Sequence, residues 1–296
     1  MIGYFLLNEG LPYQWIFSDS WGFHYSSIER LGNSSELRRL FQKNLEDLYG
    51  VFETGYRDYE LSSLIELTVV QEQWLFIPAN AICAKWHPYF NKKNYTHRFL
   101  LTQYNSTNTS GSVIDFIPEY NGEHSYEEIE AAYLSSNSRE CFTLSKPTQA
   151  PGFYLTENQV KSVYLRLTNQ HTQSHGINGL VRFQNDLLEA EQIGKEILNH
   201  WWGDLLFVIN ARESFLEFMW FLNRNTESPY YSLIQPSLLD IIERIINEWV
   251  IFRNSIMKLR ISERAVDHQQ LAEKIGQIIQ LESFFAKELK ACFAIT

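Results

Sequence analysis

The sequence predicts an α+β protein: an N-terminal β-rich mixed domain, residues 1–172, followed by a C-terminal four-helix bundle, residues 180–296. Two observations predict this fold class. The first domain contains short apolar or alternating runs, which are typical of strands. Long apolar periodicity of helical spacing begins only after "NQHTQSHGING", residues 169–179, a polar segment with glycine near its end. Such a segment favours a linker, so we place the domain boundary there.

Composition limits the class of protein. The chain has 296 residues, of which 45% are hydrophobic, and it contains 20 Phe, 16 Tyr and 8 Trp, enough to build a large core. Its formal net charge of −10 disfavours non-specific nucleic-acid binding over the whole surface. The 3 cysteines are far apart and form no disulfide or zinc pattern. With no signal-peptide pattern and no long apolar run, we expect a cytoplasmic protein without a membrane span.

The N-terminal domain begins with three expected strands, "GYFLL", "YQWIF" and "GFHYS". The turn residues of "SDSWG" predict a hairpin between the last two. This hairpin would carry four aromatic residues: Trp15, Trp21, Phe23 and Tyr25. The next segment, "NSSELRRLFQKNLEDLYG", predicts a helix, because Leu37, Phe41, Leu45 and Leu48 recur at helical spacing. Gly50 is the expected stop.

The rest of the first domain is expected to be mainly strands. "LIELTVV" and "WLFIP" look like two of them, and "HRFLLTQY" and "SVIDFI" flank the exposed hairpin loop "NSTNTSG". "SYEEIEAAYLSS" predicts a short helix with a capping box from Ser125 to Glu128. "QVKSVYLRLTN" fits both periods. Val163, Leu165 and Leu167 alternate as in a strand, which we favour, although Val160, Tyr164 and Leu167 fit a helix.

Four helices are expected after residue 180. Two cover residues 180–201 and 204–224, a third begins at Pro236, and the last is capped by Asp267 with Gln270. Each of the last two carries one continuous apolar stripe, so the four helices most simply close into a bundle.

A cationic row on the third helix is the main candidate site. Arg253, Met257, Arg260 and Arg264 follow one another at +4, +3 and +4, and therefore share one flank. Guanidinium groups bind phosphate or carboxylate bidentately, so the row could hold an anion. The favoured alternative is a solvated flank with intramolecular partners such as Glu248 or Glu263. The candidate anion-binding or RNA-binding residues are Arg253, Asn254, Lys258, Arg260, Arg264 and His268.

The stretch "FRNSIMKLR" resembles the catalytic helix of HEPN-type ribonuclease domains. Those domains are helical bundles that carry an arginine, a polar residue and then a histidine, and a dimer pairs two such motifs for metal-free RNA cleavage. Arg253 and Asn254 match the first two positions. Lys258 stands where the histidine should be, so the resemblance implies a descendant that binds without cleaving. Lysine is a poor general acid–base at neutral pH unless its pKa is lowered.

Histidines form two further candidate clusters. His171 and His175 would share a face if their segment were helical, but the polar sequence favours a loop. Cys83, His87 and His97 could form part of a zinc site, yet their spacing matches no known zinc pattern. We therefore expect no metal site.

Two features of residues 200–224 have both structural and functional interpretations. Glu213 and Glu217 share a helical face, which favours a solvated face over an acid–base pair. Apolar residues surround this segment on all sides, which favours a helix buried in the core over one at an interface. Its large aromatic residues are Trp201, Trp202, Phe207, Phe215, Phe218, Trp220 and Phe221.

The sequence contains no nucleotide-binding, nucleophile-elbow or metalloprotease motif, so we expect no cofactor, and whether the protein is an enzyme stays open. Our first hypothesis is a non-catalytic accessory protein within a larger cytoplasmic assembly, with a protein partner or as a homodimer. The alternative is a HEPN-like RNA-binding or metal-independent RNA-cleaving protein of a defence or toxin type that uses the arginine row. Small-molecule binding between the domains is a third hypothesis, with no specific residue behind it.

Overall fold

The chain has an α+β fold, with one antiparallel sheet in the N-terminal half and long helices in the C-terminal half. The computed structural model describes residues 1–116, 119–168, 174–190, 192–262 and 267–295. These form two compact units. The sheet unit comprises residues 1–11 and 49–149, and the helical unit comprises residues 12–48 and 150–296. The expected boundary lies in the 169–179 segment, whereas in this division residues 12–48 and 150–168 also belong to the helical unit.

In the described residues, the sheet unit contains three α-helices and six strands. Its helices are α1 Ile2–Asn8, α3 Leu61–Leu67 and α4 Tyr126–Leu134, and its strands are β1 Glu53–Arg57, β2 Leu75–Asn80, β3 Thr96–Asn105, β4 Ser110–Phe116, β5 Glu119–Ser125 and β6 Glu140–Leu144. The helix α2 Asn33–Tyr49, between α1 and β1 in the chain, belongs to the helical unit apart from its last residue. The strands form one sheet in the order β1-β6-β2-β3-β4-β5. The predicted β3–β4 hairpin is confirmed, with Asn105 opposite Ser110 at the start of its loop.

One face of the sheet carries the core of this unit. Side chains from β2, β3 and β4 pack there against α3 and α4. The helix α4 has the predicted cap, since Ser125 accepts a hydrogen bond from the backbone N–H of Glu128. "LIELTVV" was predicted as a strand, but α3 and a short 3₁₀ helix occupy it. Leu61, Leu64 and Ile65 are buried at i, i+3 and i+4, so helical periodicity prevails over β-branched composition there. "GYFLL" likewise lies in the helix α1 and is not a strand.

The helical unit contains α2, α5 Thr156–Thr168, α6 Gly176–Glu189, α7 Lys195–Arg224, α8 Pro236–Ile261 and α9 His268–Cys292. In the described residues α7 packs on α8, α8 on α9 and α9 on α6, while α5 covers α6 and α9. The helix α7 runs without a break through Gly203, so the break expected near that residue lies instead between Glu189 and Lys195. Residues 159–168 of "QVKSVYLRLTN" are helical in α5, not a strand, and they bury Val160, Val163 and Leu167.

Residues 12–31 form no hairpin; they supply buried aromatic rings to the helical unit. Trp15 lies in a short 3₁₀ helix, and Trp21 follows it in irregular backbone. Trp21 stacks on Phe285 with ring centroids 4.3 Å apart, and Phe23 stacks on Trp249 at 5.5 Å. The predicted hairpin was wrong because these alternating aromatics are buried between helices, where no partner strand is needed to cover them.

Candidate interaction surface on the helical unit

A fully buried ion pair lies at the centre of the helical unit. Arg212 of α7 donates from Nε to Glu282 Oε1 of α9 at 2.8 Å, and a second guanidinium nitrogen lies 2.5 Å from the same oxygen. The two side chains are 1% and 0% exposed. The indole N–H groups of Trp21 and Trp249 also donate to Glu282, at 2.7 and 3.3 Å.

The Nη1 group of Arg212 forms two further hydrogen bonds. Nη1 donates to the carbonyl oxygens of Gly22 and Val208, at 2.9 and 3.0 Å. The guanidinium lies within 5.0 Å of the Trp21 ring centroid and 5.2 Å of that of Trp249. Burial lowers the pKa of Arg212, and the Glu282 carboxylate opposes this shift. Solvent is excluded from this centre, and its charged and polar groups form hydrogen bonds with one another. The centre is therefore a structural element and gives no access to a substrate.

The predicted arginine row contacts the neighbouring helix α7. Arg253 donates from Nε to the backbone carbonyl of Trp202 at 2.9 Å, and its guanidinium carbon lies 4.2 Å from the Trp202 ring centroid. Arg260 lies 4.6 Å from the same centroid and donates from Nε to Asn199 Oδ1 at 2.6 Å. The step of seven residues from Arg253 to Arg260 rises about 10.5 Å along the helix, which leaves room for the indole ring between their guanidinium groups.

The intramolecular partners of Arg253 and Arg260 are therefore Trp202 and Asn199. Of the two expected partners, Glu248 forms no ion pair with them in the described residues, and Glu263 lies outside those residues. Among the described residues, neither Arg253 nor Arg260 forms an ion pair with a carboxylate. Burial lowers the pKa of Arg253, and the positive charge of Arg260 lowers it further. Each guanidinium is held by its Nε, so its terminal nitrogens keep a fixed orientation.

The other predicted site residues lie apart from this stack. Asn254 and Lys258 are exposed on α8. His268 is partly buried at the start of α9, and its Nδ1 lies 2.7 Å from the carbonyl oxygen of Ala190. Asp267 caps that helix as predicted, accepting from the backbone N–H of Gln270. Arg264 lies outside the described residues.

Exposed apolar side chains flank the arginines. Leu206 follows Trp202 by one turn on α7 and is 40% exposed. Met257 lies between the two arginines on α8, and Ile261 follows it by one turn; they are 37% and 75% exposed. We call this surface the α7–α8 patch. It consists of Trp202, Leu206, Arg253, Met257, Arg260 and Ile261.

The aromatic residues of α7 divide between the core and this side of the helix. Trp201, Phe215 and Phe218 are buried, and Trp201 donates to the carbonyl oxygen of Ile28 at 2.7 Å. Trp202 and Trp220 are only partly buried, and each ring has an arginine over it. The core interpretation is thus confirmed for Trp201, Phe215 and Phe218, and the interface interpretation stays a prediction for the partly buried rings.

The histidines of the sheet unit form hydrogen bonds within the protein. His97 Nε2 lies 2.6 Å from Asp115 Oδ2, which also accepts from the Trp86 indole N–H at 2.9 Å. His87 Nδ1 accepts from the backbone N–H of Tyr89 at 3.1 Å, so a neutral His87 ring has its proton on Nε2 and offers a metal no lone pair there. In the described part of the chain, no three His, Cys, Asp or Glu side chains are arranged to hold a metal ion.

His175 belongs to a stacked pair in the helical unit. Its ring is nearly parallel to that of His24, with centroids 4.5 Å apart, and the backbone of the two residues forms an isolated β-bridge. Burial lowers the pKa of His175, and His24, Arg39 and Arg166 lower it further, while Glu36 raises it. The candidate partner His171 lies outside the described residues.

The two carboxylates of α7 that share a helical face, Glu213 and Glu217, have different contacts. Glu217 accepts a hydrogen bond from the hydroxyl of Tyr13, which raises the pKa of that tyrosine to about 12. Glu213 is exposed. The two carboxylates therefore differ in environment, and only Glu217 has a hydrogen-bond partner within the unit that the structure records.

Sequence reasoning missed three of the residues that define these sites: Arg212, Glu282 and Trp202. The signal for the first two was a charged residue inside an otherwise apolar stretch of helix, which indicates a buried pair. Trp202 was recorded only as one aromatic residue among many. Its role depends on the pairing of α7 with α8, which the spacing within either helix does not give.

Among the residues that the structure describes, no helix combines the length and apolar composition that crossing a bilayer requires. Compared with known protein families, the chain matches none, and a comparison with curated proteins likewise finds no match.

Proposed function

We propose that the protein is a non-catalytic interaction protein that works inside a larger assembly, and that the α7–α8 patch is its docking surface. The observation behind this proposal is the stack of Arg253, Trp202 and Arg260 beside exposed apolar side chains. Arginine, tryptophan and methionine are enriched at the centres of protein interfaces.

The fixed orientation of the guanidinium groups supports this role. Ordering a flexible arginine side chain on binding costs about 0.5–1.5 kcal/mol. At Arg253 and Arg260, a hydrogen bond from Nε and the contact with Trp202 already impose that order. A partner that binds their terminal nitrogens meets preorganised groups, and the neighbouring Met257 and Ile261 supply apolar area to bury.

Co-purification of the tagged protein from cells in which it naturally occurs tests this function. We expect a stoichiometric protein partner with the unmodified chain and its loss with Arg253→Ala/Arg260→Ala. Arg244→Ala is the matched control, because Arg244 is exposed on the same helix outside the patch. Both variants should keep the helical circular dichroism signal. Equal recovery of the partner with the double variant would refute the role of the patch.

RNA binding at the same surface is the second candidate function. It is favoured by the absence of carboxylate partners for Arg253 and Arg260 among the described residues, since phosphates bind guanidinium groups bidentately. Fluorescence anisotropy with a single-stranded RNA oligonucleotide tests it, and the same samples show whether the RNA is cut. RNA affinity that the double variant abolishes and Arg244→Ala leaves unchanged would favour this alternative.

A further inference from the structure

We infer that the partner segment on the α7–α8 patch is an acidic amphipathic helix of another protein. This inference rests on the proposed function and adds the chemistry of the partner. Three properties of the patch carry it: its charge, its exposed apolar side chains and the geometry of two packed helices.

The charge of this part of α8 is opposite to that of the chain. From Val250 to Ile261 the helix reads "VIFRNSIMKLRI", with two arginines, one lysine and no acidic residue. The whole chain has a formal net charge of −10. Burial and then the charge of Arg260 lower the pKa of Arg253, and a carboxylate bound at the terminal nitrogens of either arginine opposes the second effect. A complementary partner therefore presents Asp or Glu side chains to this segment.

The apolar side chains favour a helical partner over an extended one. Leu206, Met257 and Ile261 lie along the outer side of two neighbouring helices, where no strand edge is present to pair with a β-strand. A surface of this type binds an amphipathic helix through apolar anchors at i, i+3, i+4 and i+7. Acidic side chains on the flank of such a helix would reach the terminal nitrogens of Arg253 and Arg260.

A second copy of the chain fits the patch less well. In a twofold symmetric contact each residue faces its own equivalent or that of a neighbour in the same patch. Arg253 and Arg260 would then face two identical cations with no acidic residue from this segment of α8 to pair with them. Such like-charge contacts are destabilising, so an acidic partner of different sequence is favoured.

RNA also fits less well than an acidic helix. Bases bind proteins without sequence preference mainly by stacking on exposed aromatic rings. The Trp202 ring already has the guanidinium groups of Arg253 and Arg260 against it, which limits its access to a base. The exposed Leu206 and Ile261 side chains find apolar partners on a helix but not on a phosphate backbone.

The first experiment measures the binding of labelled model peptides to the full chain by fluorescence anisotropy. The probe is a Leu/Glu peptide of about 18 residues, or five helical turns, with leucine at helical spacing. We expect it to bind at least about tenfold more tightly than a scrambled peptide of equal composition or a Leu/Lys peptide. Raising the salt concentration from about 50 to about 500 mM should weaken binding.

Variants locate the binding. Arg253→Ala/Arg260→Ala should reduce affinity for the Leu/Glu peptide at least about tenfold, and Arg244→Ala should not change it. Arg253→Lys/Arg260→Lys preserves charge and folding but loses the planar fork, so it should give an intermediate affinity. Equal binding of the Leu/Glu and scrambled peptides, or no effect of the alanine variants, would overturn the inference. An RNA oligonucleotide that displaces the peptide at lower concentration would also overturn it.

A photo-crosslinking residue at position Met257 separates failure of this inference from failure of the proposed function. In cells, it should crosslink to a partner segment rich in Asp or Glu with helical apolar spacing, and the same residue at Arg244 should not. A crosslinked partner segment without those properties would refute the acidic helix while the docking function stands. Co-purification that does not depend on Arg253 and Arg260 would refute both.

Discussion

Replacing Glu282 by glutamine should destabilise the helical unit by about 3–5 kcal/mol, because it leaves the guanidinium of Arg212 buried without a counter-charge. The carboxylate accepts from Arg212 and Trp249 at Oε1 and from Trp21 at Oε2, so in glutamine one of these two positions becomes an NH2 group that cannot accept, and the other keeps only a neutral acceptor. With 0% exposure at position 282, water cannot replace the lost carboxylate. The loss is a large fraction of the stability of an ordinary domain.

Urea unfolding followed by tryptophan fluorescence measures this loss. Of the 8 tryptophans, only Trp74 and Trp86 lie in the sheet unit, so the signal reports mainly on the helical unit. Lys43→Ala is the control, because Lys43 belongs to an exposed ion pair with Asp47 and should change the free energy of unfolding by less than about 1 kcal/mol.

The double variant Arg212→Met/Glu282→Gln tests whether the two residues act as a pair. Its loss of unfolding free energy should be smaller than the sum of the losses in the two single variants, by about 2 kcal/mol or more. The reason is that no unpaired charge remains buried in the double variant. A loss below about 1 kcal/mol in Glu282→Gln, or additive effects in the double variant, would refute the account of this centre as a coupled buried pair.

Three further predictions concern the helical unit. Burial and the neighbouring His24 lower the pKa of His175, so the folded state binds this proton less well than the unfolded chain does. The free energy of unfolding should therefore fall as the pH decreases below about 6.5. Urea unfolding at several pH values should show that His175→Asn flattens this dependence. Asp204 accepts the backbone N–H groups of residues 33 and 34 at the start of α2, so Asp204→Ala should lower the free energy of unfolding by about 2 kcal/mol, and an unchanged melting temperature would contradict this role. Gly176 has φ +56°, and an added Cβ would overlap backbone carbonyl atoms of α5, whereas nothing lies near a Cβ added at Gly203. Gly176→Ala should therefore lower the free energy of unfolding by about 2 kcal/mol or more, and Gly203→Ala should raise it by about 1 kcal/mol. Thermal melting of the two variants measures both effects.

Elements with one dominant period could be predicted from the sequence. The helix α2 follows from the spacing of its leucines, and its end at Gly50 follows from the left-handed backbone there, φ +63°. The β3–β4 hairpin follows from alternating strands on both sides of a polar loop. Where a segment fitted both the helical and the strand period of apolar residues, the choice depended on which side chains are buried, and the sequence does not give this. In α5, Leu165 fitted the strand pattern but is exposed.

The candidate site was predictable only within one helix. The +4, +3 spacing correctly indicates that Arg253, Met257 and Arg260 share a flank. Which side chain of another helix faces that flank depends on the packing of α7 on α8, and this packing follows from the fit of whole helix surfaces. The same reason applies to Arg212 and Glu282, which are 70 residues apart in the chain.

The helical unit is assembled from two separated parts of the chain, and this has a consequence during synthesis. Trp21 must wait for Glu282, which the ribosome adds 261 residues later. At about 5–20 residues per second, the delay is roughly 13 to 50 s. During that time α2 and α5 to α8 are added, but α9 is still missing, whereas residues 49–149 of the sheet unit are already complete. Trp21 therefore stays without its acceptor Glu282 and without the Phe285 ring until α9 has been made, long after the sheet can form.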